Sequence, residues 1–246
     1  MKPRHQSGKK LYEIADIVID NCGCVGDAAV YMEQMDISVG PTSTVIGAYI
    51  LIGGRPGVVV ISGTGSIAYS LSPDHTVRMC GGFGPLFGDE GSGYFIGTEA
   101  LRAVSMDFDK RGTQTLLTRE LGQVLGFRNQ LELIDKVYES MSRKDIAALA
   151  AHVAYCAAQN DKVSLHILED AGKHLAEHML TLIHQTNWKD RLILSYAGGV
   201  FGMGELIIRP LMMYLGEWSE FLCAPCNKPS YGAAMLARKA LKSIRP

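Results

Sequence analysis

The chain has 246 residues, of which 47% are apolar, enough for one large domain or two small ones around a sizeable core. Its 24 basic and 25 acidic side chains are interspersed and leave a net charge of -1, so no basic face is available to neutralise nucleic-acid phosphates. No apolar run reaches the about 18 residues of a membrane helix, and the start MKPRHQSGKK leads into no signal-type apolar stretch. A cytoplasmic protein with neither nucleic-acid nor membrane partners is expected.

In chain order, LYEIADIVIDN (Leu11 to Asn21) is rich in Ile and Val and ends at a glycine turn, which predicts a strand. PTSTVIGAYILI (Pro41 to Ile52) opens on hydroxyl residues able to cap and continues apolar, which predicts a buried helix. Arg55-Pro56-Gly57 turns the chain into VVVIS (Val58 to Ser62), a short apolar run suited to a strand covered on both faces. Gly63-Thr64-Gly65-Ser66 then turns sharply, and IAYSL (Ile67 to Leu71) returns as the second strand of a hairpin.

Cys80 to Gly97, CGGFGPLFGDEGSGYFIG, is so dense in glycine that regular structure is not expected unless a ligand or close packing organises it. Helical spacing resumes at Glu99 to Phe108 and dominates from Thr113 to Trp188, a helical insert between two β-containing pieces. RLILSYA (Arg191 to Ala197) reads as another buried strand ending in Gly198-Gly199, followed by helices at about Glu205 to Leu215 and Tyr231 to Ile244.

The cysteines at 22, 24, 80, 156, 223 and 226 read as free thiols. Cys223-Ala-Pro-Cys226 has half-site spacing, but zinc needs a second pair, and Cys22-Gly-Cys24 is too tight to supply a standard one, so no metal is assigned. His174 and His178 share a helix face without an accompanying glutamate motif, which points to a solvated face.

A strand ending in Gly-Thr-Gly-Ser presents backbone N–H groups and two hydroxyls at a tight turn that a phosphate can approach; hairpins also carry these residues for turn geometry alone. Gly198-Gly199 after a strand has the same two readings. Asp89 and Glu90, adjacent carboxylates in a glycine loop, suit sugar hydroxyls or a hydrated magnesium ion, or one of them caps the following helix.

Taken together and in register, GVVVISGTGSIAYSL, GGFGPLFGDEGSGYFIGTEALRAV, LSYAGGVF and APCNKPSYGAAMLA resemble the BadF/BadG/BcrA/BcrD ATPase family, and within it the N-acetylglucosamine kinases, from about Gly53 to Ala240. The resemblance implies an α/β, actin-like (ribonuclease-H-like) ATPase fold, incomplete at its N-terminal side and carrying a mainly helical insert. It implies an ATP-dependent kinase transferring a phosphoryl group to an amino sugar, with ATP and Mg2+ as cofactors and nucleotide and sugar as partners, and it allows a homodimer. By the same resemblance, Gly63, Thr64, Gly65 and Ser66 form the second phosphate loop, with Thr64 near the transferred group. Gly82, Phe83 and Asp89 lie on the sugar side, Thr64 and Asp89 are the catalytic candidates, and Gly198 and Gly199 pack against adenosine. Phe83 stands where the family pattern usually has Trp, which keeps an apolar wall and removes an indole donor.

The family's first phosphate loop has no counterpart before Gly53, and counting back from GGRPG puts Ser43 where the base aspartate belongs. Residues from about His5 to Leu51 resemble instead the C-terminal part of SIS-type phosphosugar-binding proteins. The expected organisation is therefore a SIS-like fragment over 1–52 joined to a BadF-type domain over 53–246. With the loop and base missing, turnover is expected at least roughly 10³-fold below an intact kinase. The alternatives are a non-catalytic nucleotide- or sugar-binding module and a truncated fusion product.

Overall fold

The computed structural model describes residues 55–74, 76–186, 188 and 192–225, together with the backbone of two short strands near the start. Those strands, β1 (Val30–Met32) and β2 (Ile37–Val39), form a small antiparallel ladder that the sequence did not announce. The strand expected at 11–21, the helices expected at 41–52 and 231–244, and Ser43 lie outside the described residues.

The central sheet has five strands, β3 (Gly57–Ser62), β4 (Ser66–Leu71), β5 (Val77–Gly81), β6 (Leu194–Ala197) and β7 (Leu222–Cys223), in the order β5-β4-β3-β6-β7. The hairpin β3–β4 is antiparallel with Ser62 opposite Ser66, as the Gly-Thr-Gly turn predicts, and β5 extends it antiparallel. β6 pairs parallel with β3, and β7 parallel with β6. A parallel β3–β6 pair demands a crossover, and the helical insert supplies it.

Along β3 the side chains alternate. Val58 and Val60 join the main core beneath the helices, while Val59 joins Tyr69 and Leu71 in a smaller cluster on the other face. All three valines are fully buried, which is the two-sided coverage that the run VVV implies. Gly57 is required by close approach, since a Cβ there would lie 2.4 Å from the carbonyl oxygen of Ile193.

The insert contains α1 (Gly93–Phe108), α2 (Leu116–Leu125), α3 (Gln130–Asp135), α4 (Arg143–Ala148), α5 (Ala150–Ala158) and α6 (Lys162–His184). Helix α6 buries Ile167, Leu168, Ala171, Leu175, Met179 and Leu182, the three- and four-residue spacing of one apolar stripe, against the sheet and α7 (Glu205–Leu215). Its N-cap, Asp161, accepts from Ser164 N at 2.9 Å and from Leu116 N at 3.0 Å and Thr115 Oγ1 at 2.8 Å, tying the starts of α2 and α6 together.

Two sequence expectations change. Helix α1 starts at Gly93, inside the glycine-rich stretch, because close packing organises that stretch: a Cβ on Gly97 would lie 2.0 Å from Ile146 O, and one on Gly91 2.6 Å from Ala171 O. The cap of α1 is Ser92, whose hydroxyl accepts from Phe95 N at 3.1 Å, so neither Asp89 nor Glu90 is needed for capping. His174 and His178 do not form a solvated face. His174 meets Phe95 edge-on at 5.2 Å, and the largely buried His178 lies 3.6 Å from Glu90 and against Gly81.

Candidate nucleotide site

The Gly63–Gly65 turn is stitched to the loop that follows β5 and to the first turn of α1. Ser62 Oγ donates to Gly91 O at 2.9 Å, and Ser66 Oγ to Glu90 O at 2.6 Å. Gly93 N donates to Gly63 O at 2.8 Å and Tyr94 N to Thr64 O at 3.3 Å, which turns both carbonyls toward α1. Gly63 N closes the turn onto Gly65 O at 2.9 Å. Among the described residues nothing accepts from Thr64 N, Gly65 N or the Thr64 hydroxyl, and Thr64 is exposed. The donors left for a ligand are therefore on the outer side of the turn.

Behind the turn sits Asp89, 4% exposed, with a left-handed backbone at φ 61° that aspartate tolerates better than most residues. One carboxylate oxygen accepts from Ser66 N at 3.1 Å; the other pairs with Arg143 Nη2 at the start of α4. A Cβ on Gly65 would come within 2.8 Å of both the Asp89 carboxylate and the Arg143 guanidinium, so that close approach requires glycine. Arg143 also lies 6.0 Å from the centre of the Tyr94 ring.

In front of the turn is a cavity of about 670 Å3, whose walls are the turn itself, α4 and α5, and the 3-10 segment Gly199–Met203 that follows β6. Gly63, Thr64 and Gly199 line it, together with Lys144 and the alanines 147, 151 and 154. Small side chains on three walls leave room for a flat, mostly apolar group, while the turn end is polar. The volume lies within the range of small-molecule sites.

The structure thus brings Gly63, Thr64 and Gly199 into one cavity. Gly65, Ser66 and Asp89 form the layer behind it. Gly198, at φ 106°, packs against β3, where a Cβ would lie 2.1 Å from Ser62 O. Gly82 and Phe83 do not line this cavity; they follow β5, with a Gly82 Cβ position 2.6 Å from Ile67 Cδ1 and Phe83 65% exposed beside Phe87. Sequence reasoning missed Arg143, Lys144 and the alanine wall. The run DIAALAAHVA carried a signal for the wall, since alanines along the cavity side of a helix leave space where leucines would fill it.

No group of three histidine, cysteine or acidic side chains suited to a metal ion occurs among the described residues, and none of their helices is long and apolar enough to cross a membrane. Cys80 and Cys156 are free thiols.

A mixed sheet with a Gly-Thr-Gly-Ser hairpin, crossed by a helical insert and followed by a glycine pair at the end of a parallel strand, makes this an actin-like ATPase fold. A solved structure, a putative N-acetylglucosamine kinase from Chromobacterium violaceum, superposes with a TM-score of 0.64 at 29% identity, over 79% of this chain and 62% of that one. The chain belongs to the BadF/BadG/BcrA/BcrD ATPase family, whose model matches residues 15–237. That match runs across the boundary expected near Ile52.

The chain is 31% identical over 251 aligned residues to the N-acetylmuramic acid/N-acetylglucosamine kinase of Clostridium acetobutylicum, covering 94% of this chain and 79% of that protein. It is 32% identical over 194 residues to the N-acetyl-D-glucosamine kinase of Dictyostelium discoideum, of which it spans 60%. A stretch of 50 residues is 56% identical to a UPF0309 protein of Thermoanaerobacter pseudethanolicus, or 20% of each chain.

Proposed function

We propose that the chain binds ATP with Mg2+ in the cavity before the Gly63–Gly65 turn and serves phosphoryl transfer to an amino sugar of the N-acetylglucosamine type. The observation that carries this reading is the convergence of the adjacent Gly63 and Thr64 with Gly199, far from them in sequence, on one cavity with free turn donors at one end and a small-residue slot at the other. The adenine and ribose would occupy the slot between Gly199 and the alanine wall. The phosphates would lie toward Thr64 and the amides of Thr64 and Gly65, with Ser66 and Gly198 shaping the turn from behind.

Among the described residues no carboxylate lines the cavity. The magnesium ion that accompanies ATP would therefore be carried by phosphate oxygens and water, which suits an ion that keeps several waters. Asp89, with lone pairs beyond those used for Ser66 and Arg143, and the Gly82-Phe83 segment are the proposed sugar side. Similarity to the named kinases of Clostridium and Dictyostelium supports the amino sugar as acceptor. The division at 52/53 is proposed from the motifs on either side of it.

Isothermal titration with ADP and Mg2+, with and without N-acetylglucosamine, tests the reading. Binding of both is expected; binding of neither would contradict it. Ser43, in the place counted for the catalytic base, favours a second reading in which both ligands bind without turnover. Product formation from ATP and N-acetylglucosamine separates the two.

A further inference from the structure

Helix α4 begins with three consecutive charged residues, and each has a different environment. Arg143 is paired with the buried Asp89 behind the phosphate turn. Asp145 is folded back as the partner of the N-cap, accepting from Ser142 N at 2.8 Å and Ser142 Oγ at 2.6 Å. Lys144, between them, forms no salt bridge with another described residue and lines the cavity. It is the only charged side chain among the described residues that line it.

Successive residues on a helix project about 100° apart, so a helix whose rotation is fixed by residue 143 also fixes where residue 144 points. Two contacts fix α4. The Arg143–Asp89 pair holds its first turn against the layer behind Gly65, and the glycine contacts seat its body on α1, where a Cβ at Gly97 would lie 2.0 Å from Ile146 O and one at Gly93 3.1 Å from Ala147 O. Lys144 is thereby placed on the wall of the same cavity that the Gly63 and Thr64 turn lines. The chain as a whole, at a net charge of -1, provides no general attraction for an anion, so a multiply charged ligand here depends on a local cation.

We propose that Lys144 is a polyphosphate-binding residue of the nucleotide cavity, aimed into it by Arg143, which acts as a positioning residue through its pair with Asp89. This rests on the nucleotide reading above. The compact, flexible ammonium group of lysine suits a phosphate chain whose charge distribution changes as a terminal group leaves.

The test is titration of the purified chain with ADP plus Mg2+ and, separately, with adenosine, for the wild type, K144Q and K144R. The wild type binds ADP more tightly than adenosine. K144Q loses roughly tenfold or more in ADP affinity, as expected for a lost charge-assisted contact, and keeps its adenosine affinity. K144R recovers most of the loss. K144Q binding ADP like the wild type, or losing ADP and adenosine by the same factor, overturns the role of Lys144 and leaves the cavity reading standing, as does a wild type that binds both ligands equally. A wild type that binds neither ligand overturns the nucleotide reading itself, and the role of Lys144 falls with it.

Discussion

Arg143 and Asp89, 54 positions apart in sequence, form an ion pair in which the carboxylate side chain is 6% exposed and the guanidinium side chain 44%. The asymmetry in burial makes the two halves unequal. Removing Arg143 strands a buried negative charge beside the Gly63–Gly65 turn, whereas Asp89→Asn leaves a guanidinium that water can reach and an amide oxygen still able to accept from Ser66 N. Arg143→Ala is therefore expected to destabilise by about 2–3 kcal/mol and Asp89→Asn by about 1 kcal/mol. Urea unfolding of the two variants checks the order; equal losses would show that burial does not set it.

Gly97 gives a packing prediction. Since a Cβ there would lie 2.0 Å from the Ile146 carbonyl oxygen, Gly97→Ala must push α4 away from α1 or distort it. A cost of about 1–3 kcal/mol is expected, with weakened nucleotide binding because α4 forms a wall of the cavity. Thermal unfolding and ADP titration of the variant measure the two effects. A fully stable variant would mean that the helices have slack at this crossing.

These two sites show what the sequence made legible and what it did not. The hairpin 57–71 and the helix at 205–215 followed from local signals: an apolar run, a glycine turn, a helical period. The start of α1 did not, because glycine density counts against a helix locally, and only the approach of Ile146, Ala147 and Ala171 explains why those positions lack side chains. Strand β5 was missed for a related reason, since VRMCG is half-exposed throughout and has no apolar alternation. The Gly63–Gly65 turn was legible as a glycine turn, but Arg143 and Lys144 were two charges in a helical stretch, and nothing near them in sequence indicates what they face across the fold.

His178 gives a pH prediction. Burial holds its imidazole below the ordinary value of 6.5, with Glu90 and Glu177 pulling upward and His174 downward. A histidine that resists protonation when folded costs nothing above the unfolded value, where both states are neutral. As pH falls through about 6.5 the unfolded chain takes up a proton that the folded chain refuses, so stability declines until the pH passes below the folded value. Wild-type Tm should therefore drop between pH 7.5 and pH 5.5 by more than that of His178→Gln. Parallel pH profiles would contradict the assignment.

Cysteine reactivity offers a check on burial. Cys156 is buried in the main core, and burial, aided by Glu120 and Asp161, pushes its thiol up to about 11. Iodoacetamide at pH 8 should leave Cys156 unmodified in the folded chain and alkylate it in urea, as read by peptide mass spectrometry. Rapid native labelling would mean that the α5–α6 core opens readily.

On the function proposed above, nucleotide occupies the cavity between the Gly63–Gly65 turn, the alanine wall and Gly199. Gly199 lines that cavity, its backbone is not left-handed, and a Cβ there meets nothing within 4 Å, so a larger side chain fills the cavity without straining the fold. The deciding measurement is ADP–Mg2+ titration of Gly199→Leu beside the wild type, with thermal unfolding as the control. The prediction is an unchanged Tm and at least a roughly tenfold loss of affinity, the scale of about 1.4 kcal/mol of blocked binding; a variant that keeps wild-type affinity would place the nucleotide elsewhere.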